Sequence, residues 1–343
     1  MKTKTVKITL EGYGSHLRME KGCFIIRNRE GNIKKYPLFE NQIDEIRIKS
    51  GNSISSSVLA SCGFWGIDCL FLTQKGRPVA MLRSLDDDSH VKTRVMQYES
   101  IKNSLGIEIA KKIVYAKLEG QNQVLKKHGL RQHDLMTLKN RINNVEGSDL
   151  KAVRTKLMSI EGHFSENYFT QIFSLVSPLL RPESRKTFKA YDGVNNLFNL
   201  GYEILSWKVQ HAIIKAKLEP YLGFLHSIAK GKPSLICDFQ ELYRYLVDDF
   251  IIEYCRSLHK QDFTVKNENY SANKKAKREY LNDVQTHKFI KSLNQHFETK
   301  IDIPRIRKGK KQEIETLINE EAYLFAEYLR NEKPSWNPRI PNI

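Results

Sequence analysis

Cysteine is sparse in this chain and shows no paired pattern. Five are present, Cys23, Cys62, Cys69, Cys237 and Cys255, and none forms a C-x-x-C pair. An odd count without metal-ligand spacing excludes a disulfide framework and a structural zinc site, so these read as reduced, mostly buried thiols. Long apolar runs are also missing. None reaches about 18 residues, which excludes a transmembrane helix. The N-terminus "MKTKTVKITLEGYG" is polar and alternating and does not resemble a signal peptide, so a cytoplasmic protein is expected. There is no internal repeat, no G-x-x-x-x-G-K-S/T, no G-x-S-x-G and no H-E-x-x-H. These absences exclude P-loop, nucleophile-elbow and zincin chemistry. Acids, finally, are outnumbered: 39 Asp and Glu against 56 Lys and Arg give a formal net charge of +17. A polyanionic partner, most simply nucleic acid, accounts for this better than a merely solvated basic surface.

What is present divides the 343 residues in two. Residues 1–85 carry short alternating or β-rich runs ("KITL", "HLRMEKGCFIIRNREGNIKKYPL", "IDEIRIKSG"). A serine-capped short helix in "SISSSVLASCGFWG" and a hairpin "IDCLFLT-QKGR-PVAMLR" follow. A polar linker spans residues 86–91, within "SLDDDSH"; its aspartates read as linker and helix cap rather than metal ligands. From residue 92 to 343 the period becomes helical, giving an α+β protein: a small β-rich domain followed by a larger all-α domain. The basic charge thickens in "NKKAKREYL" (Lys274, Lys275, Lys277, Arg278) and "RIRKGKK" (Arg305, Arg307, Lys308, Lys310, Lys311). Each is expected to be a loop lying on a phosphate backbone.

Cutting or joining nucleic acid also requires stabilising an extra negative charge on phosphorus, commonly with a divalent cation held by carboxylates and sometimes an imidazole. From Pro233, apolar residues at helical spacing predict one helix through Ile251, with Asp238 at the margin of the apolar stripe and Glu241 at i+3. An ionised carboxylate there is costly without a partner. The short segment "SIAKGKPS" is able to fold His226 back near the start of that helix. A third ligand is available from "SIEGHFSENYFTQIF", where Glu161 and His163 are rivals. The bland readings stand beside these: a capping or core histidine, an aspartate favoured by the helix dipole, and Tyr168 and Tyr202 as packing residues with a polar handle.

Several stretches together resemble one family, the CRISPR-associated integrase and endonuclease of spacer acquisition, over nearly the whole chain. "ISSSVLASCGFWGIDCLFLTQKGRPVAML" resembles its short helix, strand and glycine hairpin; "KTRVMQYES" and "IAKKIVYAKLEGQNQVL" resemble its first long helices. "YDGVNNLFNLGYEIL" resembles the Asp-Pro-Val-Asn segment ending in Gly-Tyr, matching Asn195, Gly201 and Tyr202. "IEGHFSENYF", "LEPYLGFLH" and "PSLICDFQELYR" carry the family's catalytic, metal-binding residues onto Glu161, His226 and Asp238. The resemblance chooses Glu161 over His163. It departs at "FSEN" (Glu166), at "FKAY" before Asp192, at Gly193 where proline is usual, and at Tyr243-Arg244-Tyr245 where Phe-Arg-Pro is expected.

The resemblance implies a homodimer paired through its β domains. It also implies double-stranded or branched DNA as substrate, a CRISPR-associated partner protein (Cas two), Mg2+ or Mn2+ as cofactor, and no membrane. The reaction would be phosphoryl transfer, a DNA 3′-hydroxyl attacking a phosphodiester; with water as nucleophile the site would be a nuclease. Glu241, Asn195 and Tyr168 are candidate auxiliaries, and Arg244 with the two basic segments would hold DNA phosphates. Two alternatives remain: a casposase, a transposon-encoded integrase of the same fold, and a non-catalytic DNA-bridging subunit. Casposases usually carry a further C-terminal DNA-binding domain, so an end soon after "SWNPRIPNI" favours the CRISPR version.

Overall fold

The computed structural model describes residues 5–38, 42–84, 90–271, 274–302 and 311–343. The chain divides into two compact units, Met1–Asp88 and Ser89–Ile343. In the first, strands β1 (Thr5–Leu10), β2 (His16–Glu20), β3 (Cys23–Arg27), β4 (Ile33–Pro37), β5 (Gln42–Lys49) and β6 (Ser53–Ile54) precede helix α1 (Ser56–Phe64). Strands β7 (Asp68–Leu72) and β8 (Pro78–Leu82) follow it. They form two four-stranded sheets, ordered β1-β5-β7-β8 and β4-β3-β2-β6. β1 and β7 both run parallel to β5, placing Ile8 and Cys69 on either side of Ile46. The expected hairpin is present, β7 antiparallel to β8. Ile8, Leu17, Phe24, Ile46, Val58, Cys62 and Cys69 form one apolar core, which explains why two cysteines are protected thiols. Ser55 precedes α1 but makes no side-chain cap hydrogen bond; its hydroxyl pairs with Ser57 instead.

The second unit contains α2 (His90–Ser100), α3 (Ser104–Lys127), α4 (Leu135–Asn143), α5 (Leu150–Phe173), α6 (Gly193–Lys215), α7 (Ser234–Glu241) and α8 (Arg244–Cys255). Then come β9 (Phe263–Ser271), β10 (Lys274–Leu281), α9 (Asp283–Phe297), β11 (Lys300–Asp302), β12 (Lys311–Glu313) and α10 (Ile314–Leu329). The N-caps are those the sequence chemistry favours: Asn103, Asp134, Asp149, Asp192 and Asn282 each accept a backbone N–H of the first turn. α3 packs on α5 and α8, and α6 packs on α7, α8 and α10. Close approach restricts side-chain size: a Cβ at Gly120 would meet the Tyr245 ring, and one at Gly201 would meet Val247 and Ile251.

Two expectations are corrected here. The helix predicted from Pro233 through Ile251 is two helices, broken at Leu242–Tyr243, where Tyr243 leaves helical geometry at φ −128° and ψ −2°. Leu242, Tyr243, Leu246 and Val247 stay buried across the break, so apolar periodicity alone did not reveal it. The second unit is also not wholly helical. Lys274–Leu281 is a strand, antiparallel to β9 with Leu281 opposite Phe263, and not a loop. Its alternation is hidden in sequence by the run of lysine and arginine.

Candidate active site

The site is assembled on the segment 219–226, which runs alongside the start of α7. The Leu235 N–H donates to the Pro220 carbonyl at 3.0 Å, and a Cβ at Gly223 would collide with the Ser234 backbone. Gln97 of α2 fixes the segment's beginning through Glu219 and Leu222. Arg154 of α5 binds the carbonyls of Gly223 (2.6 Å) and Phe224. The amides on the other side need an acceptor, and Asp238 supplies it. Its Oδ2 accepts the N–H groups of Phe224 and Leu225 (3.0 Å); its Oδ1 accepts the His226 N–H (2.8 Å) and contacts His226 Nδ1 (2.8 Å). Asp238 is fully buried. The carboxylate beside the core is therefore satisfied by four N–H groups, and with Nδ1–H pointed at Asp238 the lone pair of His226 resides on Nε2.

Glu161 and Glu241 meet from different helices. Lys117 of α3 contacts Glu161 Oε1 and lies 2.7 Å from Glu241 Oε2. Ser165, one turn after Glu161, donates to the same Oε1 at 2.7 Å and receives Gln121. On the far side of the helix break, Arg244 pairs with Glu241 Oε1 at 2.8 Å. Burial pushes the Glu241 carboxyl up, but Arg244, Lys117 and His226 together outweigh it and hold it down at about 2. Sequence reasoning missed Lys117 and Arg154. The signal for Lys117 was available: it interrupts the buried stripe of α3 between Ile113, Val114 and Gln121.

A cleft of about 460 Å³ opens over these groups, lined by Lys117, Glu161, Ser165, Arg185, Tyr202 and Arg244 among others. Tyr168 and Tyr202 donate their hydroxyls to the two oxygens of buried Asp248, Tyr168 at 2.8 Å. Burial raises the Asp248 carboxyl to about 6 against the pull of both tyrosines, Arg244 and Arg185. The Tyr202 ring carries Arg244 on one approach (4.6 Å) and Arg185 on another (5.2 Å). The polar handles expected of both tyrosines are thus committed to Asp248.

The remaining expected residues fall as follows. Asn195 is fully buried. It binds Asp192, the Ser184 carbonyl, the Lys186 N–H and Arg185, and so shapes the 184–186 loop that walls the cleft. His163 is exposed and packs edge-on to Phe164. Arg244 is tied to Glu241 and Tyr202 while facing the cleft. Lys277 and Lys311 are exposed and Arg278 is half-buried. Arg305, Arg307, Lys308 and Lys310 lie outside the described residues, as do the side chains of Lys274 and Lys275. Gly193, where proline was usual, starts α6. Its N–H donates to Glu279 at 3.0 Å, and a Cβ there would collide with the Phe263 ring, so the glycine is required by the β9–β10 hairpin.

Among the described residues, no group of three or more His, Cys, Asp or Glu is set at metal-binding spacing. The expected trio is drawn into one neighbourhood but not onto one point. Asp238 faces the 224–226 backbone, and an ammonium stands between Glu161 and Glu241. The donor chemistry nevertheless fits a hard divalent cation: the carboxylates of Glu161 and Glu241, both held on the Lys117 ammonium, and one imidazole.

A model of the family described as "CRISPR associated protein Cas1" matches residues 8–286. The chain belongs to this family. It is 29% identical to the CRISPR-associated endonuclease Cas1 2 of Pyrobaculum aerophilum over 259 residues, 75% of this chain and 85% of that protein. It is 30% identical to the CRISPR-associated endonuclease Cas1 1 of Francisella tularensis subsp. novicida over 259 residues, 74% and 80% of the two chains. In fold it is similar to a casposase bound to integration product (TM-score 0.72, 20% identity, 98% of each chain). A CAS1 protein from Thermotoga maritima is also similar (TM-score 0.63, 22% identity, 94% and 96%).

Proposed function

We propose that this protein is a divalent-metal-dependent DNA integrase and endonuclease that inserts short DNA fragments into a CRISPR repeat array. The observation that supports this is the meeting of Glu161 and Glu241 at Lys117, beside a cleft lined by Glu161, Lys117, Arg185 and Arg244, together with a His226 ring anchored by buried Asp238. Family membership and relatives named as endonucleases support the same reading.

In this account Glu161, Glu241 and His226 Nε2 would hold the ion. Asp238, expected as a ligand, acts one step back, because both its oxygens are used on the 224–226 amides and the His226 ring. When bound, Mg2+ or Mn2+ would lower the pKa of the attacking hydroxyl and offset charge at the pentavalent phosphorus. The chain's own groups do the rest. Asp238 fixes the imidazole tautomer and orientation. Arg244 keeps Glu241 ionised down to about pH 2. Arg185 and Arg244, on the cleft wall, receive the non-bridging phosphate oxygens, and Tyr202 holds both guanidinium planes. Lys277, Lys311 and the other basic residues of the two segments supply sequence-independent phosphate contacts.

The partners that follow are double-stranded or branched DNA, a second copy of the chain, and the CRISPR-associated protein Cas two. Solved structures of similar fold include a Cas6-RT-Cas1–Cas2 complex and a Cas1–DNA complex. Among the described residues no helix is long and apolar enough to cross a membrane, and the cytoplasm is the proposed location. A transposon-type integrase is the second reading, favoured by the casposase likeness over 98% of both chains.

The test is strand transfer of a labelled duplex into a repeat-bearing plasmid with Mg2+, Mn2+ or EDTA. Ion-dependent joining at repeat borders supports the CRISPR reading, and joining that follows transposon-end sequences favours the second. DNA binding without joining in either ion would leave only a bridging subunit.

A further inference from the structure

We propose that Lys117 is the resident cation of this site: a positioning residue that holds Glu161 and Glu241 together until a divalent ion takes its place between them. The inference rests on the metal-dependent reading above.

Three observations carry it. The Lys117 side chain is only 9% exposed, on the buried face of α3 with Ile113, Val114 and Gln121. A buried ammonium is costly unless compensated, and here the compensation is two carboxylates from two other helices, α5 and α7. Second, the two oxygens of Glu241 are held differently. Arg244 takes Oε1, whereas Lys117, at 2.7 Å, faces Oε2. The ammonium is a compact charge on a flexible stem, and such a charge is what another cation can replace. Third, Lys117 and Glu161 line the cleft, so an ion can reach the pair from solvent and the flexible lysine stem has room to turn aside. Beside Arg244 on Glu241 Oε1, Lys117 places one positive charge between the two glutamates where a dication would place two.

The consequence is competition. Ion binding must displace an internal ammonium, so the free protein binds the ion less tightly than its carboxylates alone would. The experiment is Mn2+ binding to the full chain without DNA, by isothermal titration calorimetry and by the electron paramagnetic resonance signal of free Mn2+. Wild type, Lys117→Met and Lys117→Arg are compared, with the Glu161→Gln/Glu241→Gln double variant as control.

Lys117→Met is expected to bind Mn2+ about tenfold more tightly or better, having lost the competitor. Lys117→Arg is expected to bind about tenfold more weakly while keeping its melting temperature, because a planar guanidinium bridges two carboxylates through directed bonds and is harder to displace. Equal affinity in all three, or weaker binding by Lys117→Met, overturns the proposal. Should Lys117→Met fail to fold, unchanged affinity of Lys117→Arg overturns it alone. If wild type shows no Mn2+ binding that the double Gln variant abolishes, the metal-dependent reading itself fails, and this inference with it; the two failures are therefore distinct.

Discussion

His226 meets one oxygen of Asp238 twice, through its backbone N–H and through its ring Nδ1, both at 2.8 Å. The aspartate therefore fixes where the histidine sits in the chain and how its ring is turned. Two different losses follow from the two partners. Asp238→Ala leaves two buried amides and one half-buried amide without an acceptor and is expected to cost at least about 3 kcal/mol, with loss of strand transfer. His226→Ala removes one hydrogen bond, about 1 kcal/mol, yet should abolish strand transfer while leaving DNA affinity within a few-fold. Urea denaturation beside the transfer assay checks both; equal destabilisation by the two variants would contradict the anchoring role.

Asp248 gives the fold a pH dependence of definite sign. Its carboxyl is raised from 3.8 to about 6 by burial, so its contribution to stability is fully present below about pH 4 and is lost as pH rises through 6. The size is about 3 kcal/mol at roughly 1.4 kcal/mol per pKa unit. Glu241 acts oppositely: lowered to about 2, it contributes above pH 4.5 and is lost as pH falls through 2. Between pH 4 and 6 wild type should therefore lose stability relative to Asp248→Asn. Parallel melting profiles of the two proteins over that window would contradict this.

Much of the fold was legible, and the failures have physical causes. The switch from period two to helical period near residue 90 is written in the apolar spacing, and the β7–β8 hairpin in the QKGR turn. A carboxylate beside the core with no sequence-local partner pointed to Asp238, and the family resemblance to His226, but the two were expected to share a cation rather than to touch. What Asp238 is paired to was not legible, because three of its four donors are backbone amides, which every residue but proline carries. The break at Leu242–Tyr243 was hidden because burial continues through it. Lys117 was overlooked because a single lysine in an apolar stripe reads as a helix-surface residue until its two carboxylates are seen to arrive from elsewhere.

Gly193 is the test of the local departure from the family pattern. A Cβ there would overlap the Phe263 ring. Gly193→Ala is expected to destabilise by about 1–3 kcal/mol through forced displacement of the β9–β10 hairpin. Gly193→Pro should be worse, since it also removes the N–H given to Glu279. Thermal melts decide; an unchanged midpoint for either variant would show that the hairpin yields freely.

Charge in the second basic segment should govern affinity rather than chemistry. Replacing Lys308, Lys310 and Lys311 with glutamine is expected to weaken duplex binding. It should also flatten the log–log salt dependence by about 0.9 for each phosphate no longer neutralised. Fluorescence anisotropy across a salt series measures the slope, and an unaltered slope removes that segment from the DNA interface.

The most direct measurement is anomalous scattering from a crystal of the full chain soaked in Mn2+. A peak bonded to Glu161, Glu241 and His226 Nε2, with Lys117 withdrawn and Asp238 still on the 224–226 amides, is the predicted result. A peak bonded to Asp238 instead, or no peak between the two glutamates, would contradict the account.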